Sequence, residues 1–139
     1  MKKVSINLLA FFFISLIAFA QSADTGILYL WELSSGKVWK NFGDEKTQQI
    51  YKGEIKNQKP EGLGIMLFPD GTKYMGMWKA GEKHGQGIYF FSEGDRFEGK
   101  WKYDEVHGIG TYVYPGGERF SGEWKDGNKH KHGRLIIPK

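Results

Sequence analysis

The sequence predicts an all-β fold: an elongated, single-layer antiparallel β-meander of tandem 23-residue hairpin repeats, closed at its N-terminal end by a capping hairpin. Two observations carry this expectation. Tyr51, Tyr74, Phe97 and Phe120 stand 23 residues apart, and Trp78, Trp101 and Trp124 follow the last three at a constant offset. Within each copy the pattern has period two, which puts residues i, i+2 and i+4 on one face of a strand.

Residues 1–20 read as a secretory signal peptide and stand apart from the fold. Lys2 and Lys3 precede an apolar run from Val4 to Phe19, and Ala18-Phe19-Ala20 is a small-x-small cleavage pattern, so cleavage is expected after Ala20. An uncleaved anchor is the competing reading, but an apolar run of about 17 residues is at the short limit for a bilayer of ~30 Å. The expected location of the mature chain is periplasmic or secreted, with association to the cell envelope compatible with both.

The chain has no cysteine, which excludes disulfides, thiolate metal sites and a cysteine nucleophile. Once Lys2 and Lys3 leave with the leader, 18 basic residues face 16 acidic ones. The two signs interleave along the chain, so no basic stripe of the kind that binds nucleic acid is present.

Residues 21–50 form a separate N-terminal capping segment. Ile27 to Leu33, the polar Ser34-Ser35-Gly36-Lys37 and then Val38 to Phe42 read as an additional hairpin that lacks the repeat glycines. Its expected role is to cover the sheet edge, which otherwise offers unpaired backbone groups to other chains.

The repeats proper run over 51–73, 74–96, 97–119 and a partial copy at 120–139. Each opens on an aromatic-x-Gly-x-Trp strand in which only Ile55 breaks the tryptophan column. Glycine between two rings leaves room that a Cβ would fill. The intervening residues, such as Arg96, Glu98, Lys100 and Lys102, are polar and define a wet face. Asp70-Gly71 and Glu93-Gly94 mark tight turns, where glycine supplies a positive φ. The other turn carries Gly81 and Gly127, with Asp104 and Gln58 at the equivalent places. Gln58 suits a left-handed conformation poorly, so the first repeat is expected to turn differently.

The order Tyr-x-Gly-x-Trp, short turn, His-Gly-x-Gly, Asp-Gly resembles the MORN (membrane occupation and recognition nexus) repeat, most closely over Tyr74 to Phe91 with His84-Gly85-Gln86-Gly87. The resemblance covers residues 51 to about 133 and implies an elongated sheet used in protein–protein contact and membrane association. Departures from the motif are Glu61 in place of its histidine, Ile55 in place of its tryptophan, and two extra residues in the last copy.

Candidate chemistry is sparse. His84 and His107 occupy equivalent places in adjacent repeats, but two strand widths, about 10 Å, separate them, whereas zinc ligands lie ~2 Å from the ion. His130 and His132 supply only two ligands on one strand. Glu54 and Glu123 lie three repeats apart, and no Ser-His-Asp arrangement stands out. The chain therefore reads as non-catalytic, without metal or cofactor.

The second strand of each hairpin is apolar on both sides. Met66 and Phe68, Tyr89 and Phe91, Tyr112 and Tyr114 share one face, while Ile65 and Leu67, Ile88 and Phe90, Thr111 and Val113 share the other. An exposed apolar patch of this kind marks an interaction site. The candidate binding surface comprises Tyr74, Trp78, Tyr89, Phe91, Phe97, Trp101, Tyr112, Tyr114, Phe120 and Trp124. Its expected occupant is an unidentified protein partner or a second copy of the chain, which makes the protein a scaffold. Two further readings are phospholipid headgroups attracted by lysines including Lys52, Lys56, Lys73, Lys79 and Lys83, and envelope glycan or choline stacked on the rings.

Overall fold

The computed structural model describes residues 24–130 and 133–138. The signal peptide expected at residues 1–20 and the Lys131–His132 part of the histidine pair lie outside these. The first two strands are β1 (Thr25–Leu33) and β2 (Gly36–Lys40). The repeats supply β3 (Ile50–Lys56), β4 (Lys59–Leu67), β5 (Lys73–Lys79), β6 (Glu82–Phe90), β7 (Arg96–Lys102), β8 (Glu105–Val113) and β9 (Arg119–Lys125). The fourth copy ends in two short pieces, β10 (Asn128–Lys129) and β11 (Arg134–Ile136). All belong to one antiparallel sheet in the order β10-β9-β8-β7-β6-β5-β4-β3-β1-β2, with β11 also on β9.

The expected meander therefore runs from β3 to β9, and the N-terminal hairpin extends it. β1 pairs with β3, and β2 is the outermost strand. At the other end β10 and β11 share β9 as partner. Leu135 pairs with Phe120 as Tyr112 pairs with Phe97, and Gly133 faces Gly122 as Gly110 faces Gly99. The last copy therefore keeps the 23-residue register and, contrary to expectation, carries no insertion: Gly133 is its second motif glycine.

The His-Gly-x-Gly motif has a clear mechanical role. In the second repeat Gly76 pairs with Gly87 but Trp78 pairs with Lys83, so one residue of β5 opposes three of β6. Gly85, inside that bulge, takes φ +68°. Gly62 and Gly108 repeat this geometry in the neighbouring copies, with equivalent register shifts beside them. Bulges bend a strand and increase its twist. Three at the same height curl the sheet toward the face that carries the rings. Trp39 on β2 and Trp78 on β5 belong to strands that would lie about 19 Å apart in a flat sheet, yet their ring centroids are 6.4 Å apart.

Both turns repeat faithfully. Phe68 N–H donates to Thr72 O at 3.0 Å, and Phe91–Asp95 and Tyr114–Glu118 reproduce that bond. The opposite turns carry two consecutive positive φ values: 51° and 58° at Asn57-Gln58, 49° and 86° at Ala80-Gly81, 50° and 66° at Tyr103-Asp104, 49° and 79° at Asp126-Gly127. The first repeat thus turns like the others, contrary to the expectation from Gln58. The last three are also held from the repeat before: Gly81 N–H donates to Pro60 O, Asp104 N–H to Lys83 O, and Gly127 N–H to Val106 O. At Asn57-Gln58 the pairing of Lys56 with Lys59 leaves a two-residue turn, and this tight connection overrides the local preference of Gln58.

The core is a zipper of rings on the concave face. Tyr51 meets Trp78 at 5.2 Å, Tyr74 meets Trp101 at 5.1 Å and Phe97 meets Trp124 at 4.9 Å, all near perpendicular. The tryptophan of each repeat thus packs on the first aromatic of the repeat before it. Beneath each ring lies a glycine pair. A Cβ on Gly76 would stand 2.5 Å from Gly87 Cα, and one on Gly87 would collide with the Tyr74 ring. The phenols of Tyr51 and Tyr74 donate to Glu54 O and Met77 O at 2.6 and 3.1 Å. Burial pushes both well above the usual tyrosine range.

Candidate binding surface

The ten aromatic residues singled out by the sequence divide into two groups. Tyr74, Trp78, Phe97, Trp101 and Trp124 are buried in the zipper and support the surface from below. The sequence could not separate them from the exposed rings, because strand periodicity assigns a face but not its depth. Phe120, at the end of the zipper where no further tryptophan covers it, is half-buried.

Tyr89, Phe91, Tyr112 and Tyr114 remain accessible to different degrees, with Phe91 37% exposed. Together with Phe68 they make a continuous row at the end of the sheet that carries the Phe68–Thr72 type of turn. Successive ring centroids are 5.7 Å (Phe68–Tyr89), 4.8 Å (Tyr89–Phe91), 5.6 Å (Phe91–Tyr112) and 4.9 Å (Tyr112–Tyr114). The rings are tilted at 39–59° to one another, so edges as well as faces are presented. Thr72 and Tyr89 hydroxyls lie 3.1 Å apart and tie the row to the turn.

The opposite face is more covered than its apolar residues suggest. Ile65, Leu67, Ile88 and Phe90 are half-buried, because long side chains of the first strands lie over them. Lys73 Nζ sits 4.7 Å from the Phe90 ring centroid, and Arg96 pairs with Glu98 at 2.6 Å. Such stems bury their methylenes while keeping the charge in water. Ile109, 70% exposed, is the exception on that side.

The residue that sequence reasoning placed wrongly is Lys83. It reads as one more surface lysine, but its side chain is only 15% exposed. Its ammonium lies 5.7, 5.6 and 5.1 Å from the ring centroids of Tyr74, Tyr89 and Trp101, with Asp104 Oδ1 at 4.0 Å. Burial lowers its pKa, partly opposed by the Asp104 carboxylate. The signal was available in the repeat alignment: position 83 is equivalent to Pro60 and Val106, both buried.

Among the described residues no group of three or more His, Asp or Glu could hold a metal ion, and no helix is long and apolar enough to cross a membrane. His84 and His107 lie in successive bulges, not at a common centre.

With the hairpins, bulges and ring zipper established, the class is an open β-meander of glycine-punctuated hairpin repeats with an interaction face. The MORN repeat family model matches residues 51–73, 74–96, 97–119 and 120–139, and the chain belongs to that family. MORN repeats generally bind proteins or membranes. No curated protein matches the chain.

Proposed function

We propose that this chain is an exported, non-catalytic scaffold that holds a partner protein along the aromatic row from Phe68 to Tyr114. The observation that carries this reading is the row itself: five touching rings across three repeats, backed by a rigid zipper and left open to solvent on one side. Aromatic anchors on a preorganised support dominate protein interfaces, because they bury large areas with little loss of side-chain freedom. The leader-like residues 1–20 support the export part of the reading.

The test is in-cell crosslinking with mass spectrometry on the native chain and on a Phe91→Ser, Tyr112→Ser double variant. A partner, or a second copy, crosslinked to the native chain and lost in the variant is the expected result. Unchanged crosslinking overturns the row as the docking surface. Retention of the native chain by anionic vesicles, with no protein crosslink, replaces the scaffold reading with a membrane one.

A further inference from the structure

A second feature lies beside the row, where the N-terminal hairpin curls over the sheet. Lys37 and Trp39 of β2, Lys59 of β4 and Lys83 of β6 border a groove of about 360 Å3, with Phe68 and Trp78 also lining it. Three cationic side chains thus meet an aromatic wall. The only ion pairs among the described residues are Lys83–Asp104 and Arg96–Glu98. Neither Lys37 nor Lys59 makes an ion pair: Glu32 stands across from Lys37 on β1 without closing one, and the charge of Lys37 disfavours protonation of Lys83.

Two acids also border the groove, and neither balances it. Asp104 is engaged already, since its Oδ1 accepts the Lys83 backbone N–H at 2.8 Å as well as facing the ammonium. Glu82 is exposed to water and makes no ion pair. An incoming carboxylate would relieve the repulsion between unpaired cations, the ordinary way an opposite charge stabilises a charged site. The groove is also concave and at the low end of ligand-site volumes, ~300–1,000 Å3. That holds one or two side chains and suits a flat bilayer badly, because Lys83 is recessed.

We propose that this groove takes an acidic segment of a partner protein, with one hydrophobic side chain against Trp39 and Trp78 and flanking carboxylates on Lys37, Lys59 and Lys83. The proposal rests on the scaffold reading and adds the chemistry of the partner. The N-terminal hairpin, which lies outside the repeats, then becomes one wall of a recognition site.

The test pans an unbiased hexapeptide display library on the full chain and measures the selected peptides by calorimetry. The expected consensus has at least two Asp or Glu around a large apolar residue. Affinity should fall about tenfold in Lys37→Glu and in Lys59→Glu, because charge reversal turns an attractive contact into a like-charge one. Both lysines are exposed, so these variants should fold normally. A neutral or basic consensus, or affinities indifferent to both reversals, overturns the proposal. Inorganic phosphate that displaces the peptide at equal concentration reduces the groove to a simple anion site, and Lys37-dependent capture by phosphatidylserine vesicles assigns it to lipid; either overturns it. The Phe91→Ser, Tyr112→Ser variant should keep peptide affinity, so a failure of the row and a failure of the groove are read separately.

Discussion

Tyr74 of the second repeat receives Trp101 of the third edge-on, with 5.1 Å between ring centroids and 76° between ring planes. The contact joins two repeats, so its loss is felt by both. Trp101→Ala should cost about 3–5 kcal/mol, the usual range for deleting a buried aromatic. Urea unfolding followed by the remaining tryptophans checks this, and a loss below that of a surface substitution would show that the zipper is not the source of stability.

Trp101 differs from its equivalents in its indole N–H. Trp78 and Trp124 donate to Gly64 O and Gly110 O at 3.3 Å, whereas the Trp101 N–H has no partner. Trp101→Phe should therefore destabilise less than Trp124→Phe, by about 1 kcal/mol, the net value of one hydrogen bond. Equal losses in parallel denaturant titrations contradict the assignment.

Glycines of the repeat should divide by cause. A Cβ at Gly76 meets the backbone of β6, where nothing can yield, and Gly76→Ala is expected to cost about 3 kcal/mol, the upper end for overpacking. At Gly94 the space is open and only φ +94° opposes a side chain, so Gly94→Ala should cost about 1 kcal/mol, the lower end for a strained φ. Thermal melts of the two variants rank them directly.

Gln58 holds φ 58° without the freedom of glycine. Gln58→Gly should raise stability by about 1 kcal/mol, because the strain of a left-handed non-glycine residue is removed. The melting temperature of the variant is the readout, and a decrease would mean that the Gln58 side chain contributes more than its backbone costs.

The pH dependence has two parts of opposite sign. Tyr51 and Tyr74 have pKa values raised by burial, so their contribution is intact below the unfolded tyrosine value of about 10 and is lost as pH rises beyond it. Lys83 is lowered, so the unfolded chain binds more protons just below its usual value, and stability gains with pH in that window. Lys83→Met should remove the second part and leave the first. It should also stabilise at neutral pH by about 1 kcal/mol, since it removes a charge held out of water while Asp104, whose side chain is 45% exposed, stays solvated. Stability curves between pH 7 and 11 for the two proteins test both statements.

Much of the fold was legible because a 23-residue period constrains many positions at once. The pairing of Tyr74 with Tyr89, the turn at Gly94 and the strand alternation at Arg96 to Lys102 all follow from it. Depth was not legible. Trp78 and Phe91 read alike in the sequence, and they differ because the bulges at Gly62, Gly85 and Gly108 curl the sheet and enclose one while leaving the other near the rim. Lys83 escaped for a related reason: a lysine is read as surface by default, and only its alignment with Pro60 and Val106 places it inside. Gln58 misled because the pairing of Lys56 with Lys59 leaves a two-residue turn, which needs positive φ at both of its positions whatever residues fill them.

The ladder of turns makes length an independent variable of this molecule. Pro60, Lys83 and Val106 each offer the same carbonyl to the next copy, so a duplicated stretch 74–96 would meet identical docking points on both sides. Each addition would extend the rule by about 10 Å, two strand spacings, and add two rings to the row without altering either end. The protein is in this sense a ruler with one graduation per repeat, whose reach can be reset by copying a segment, not by redesigning it.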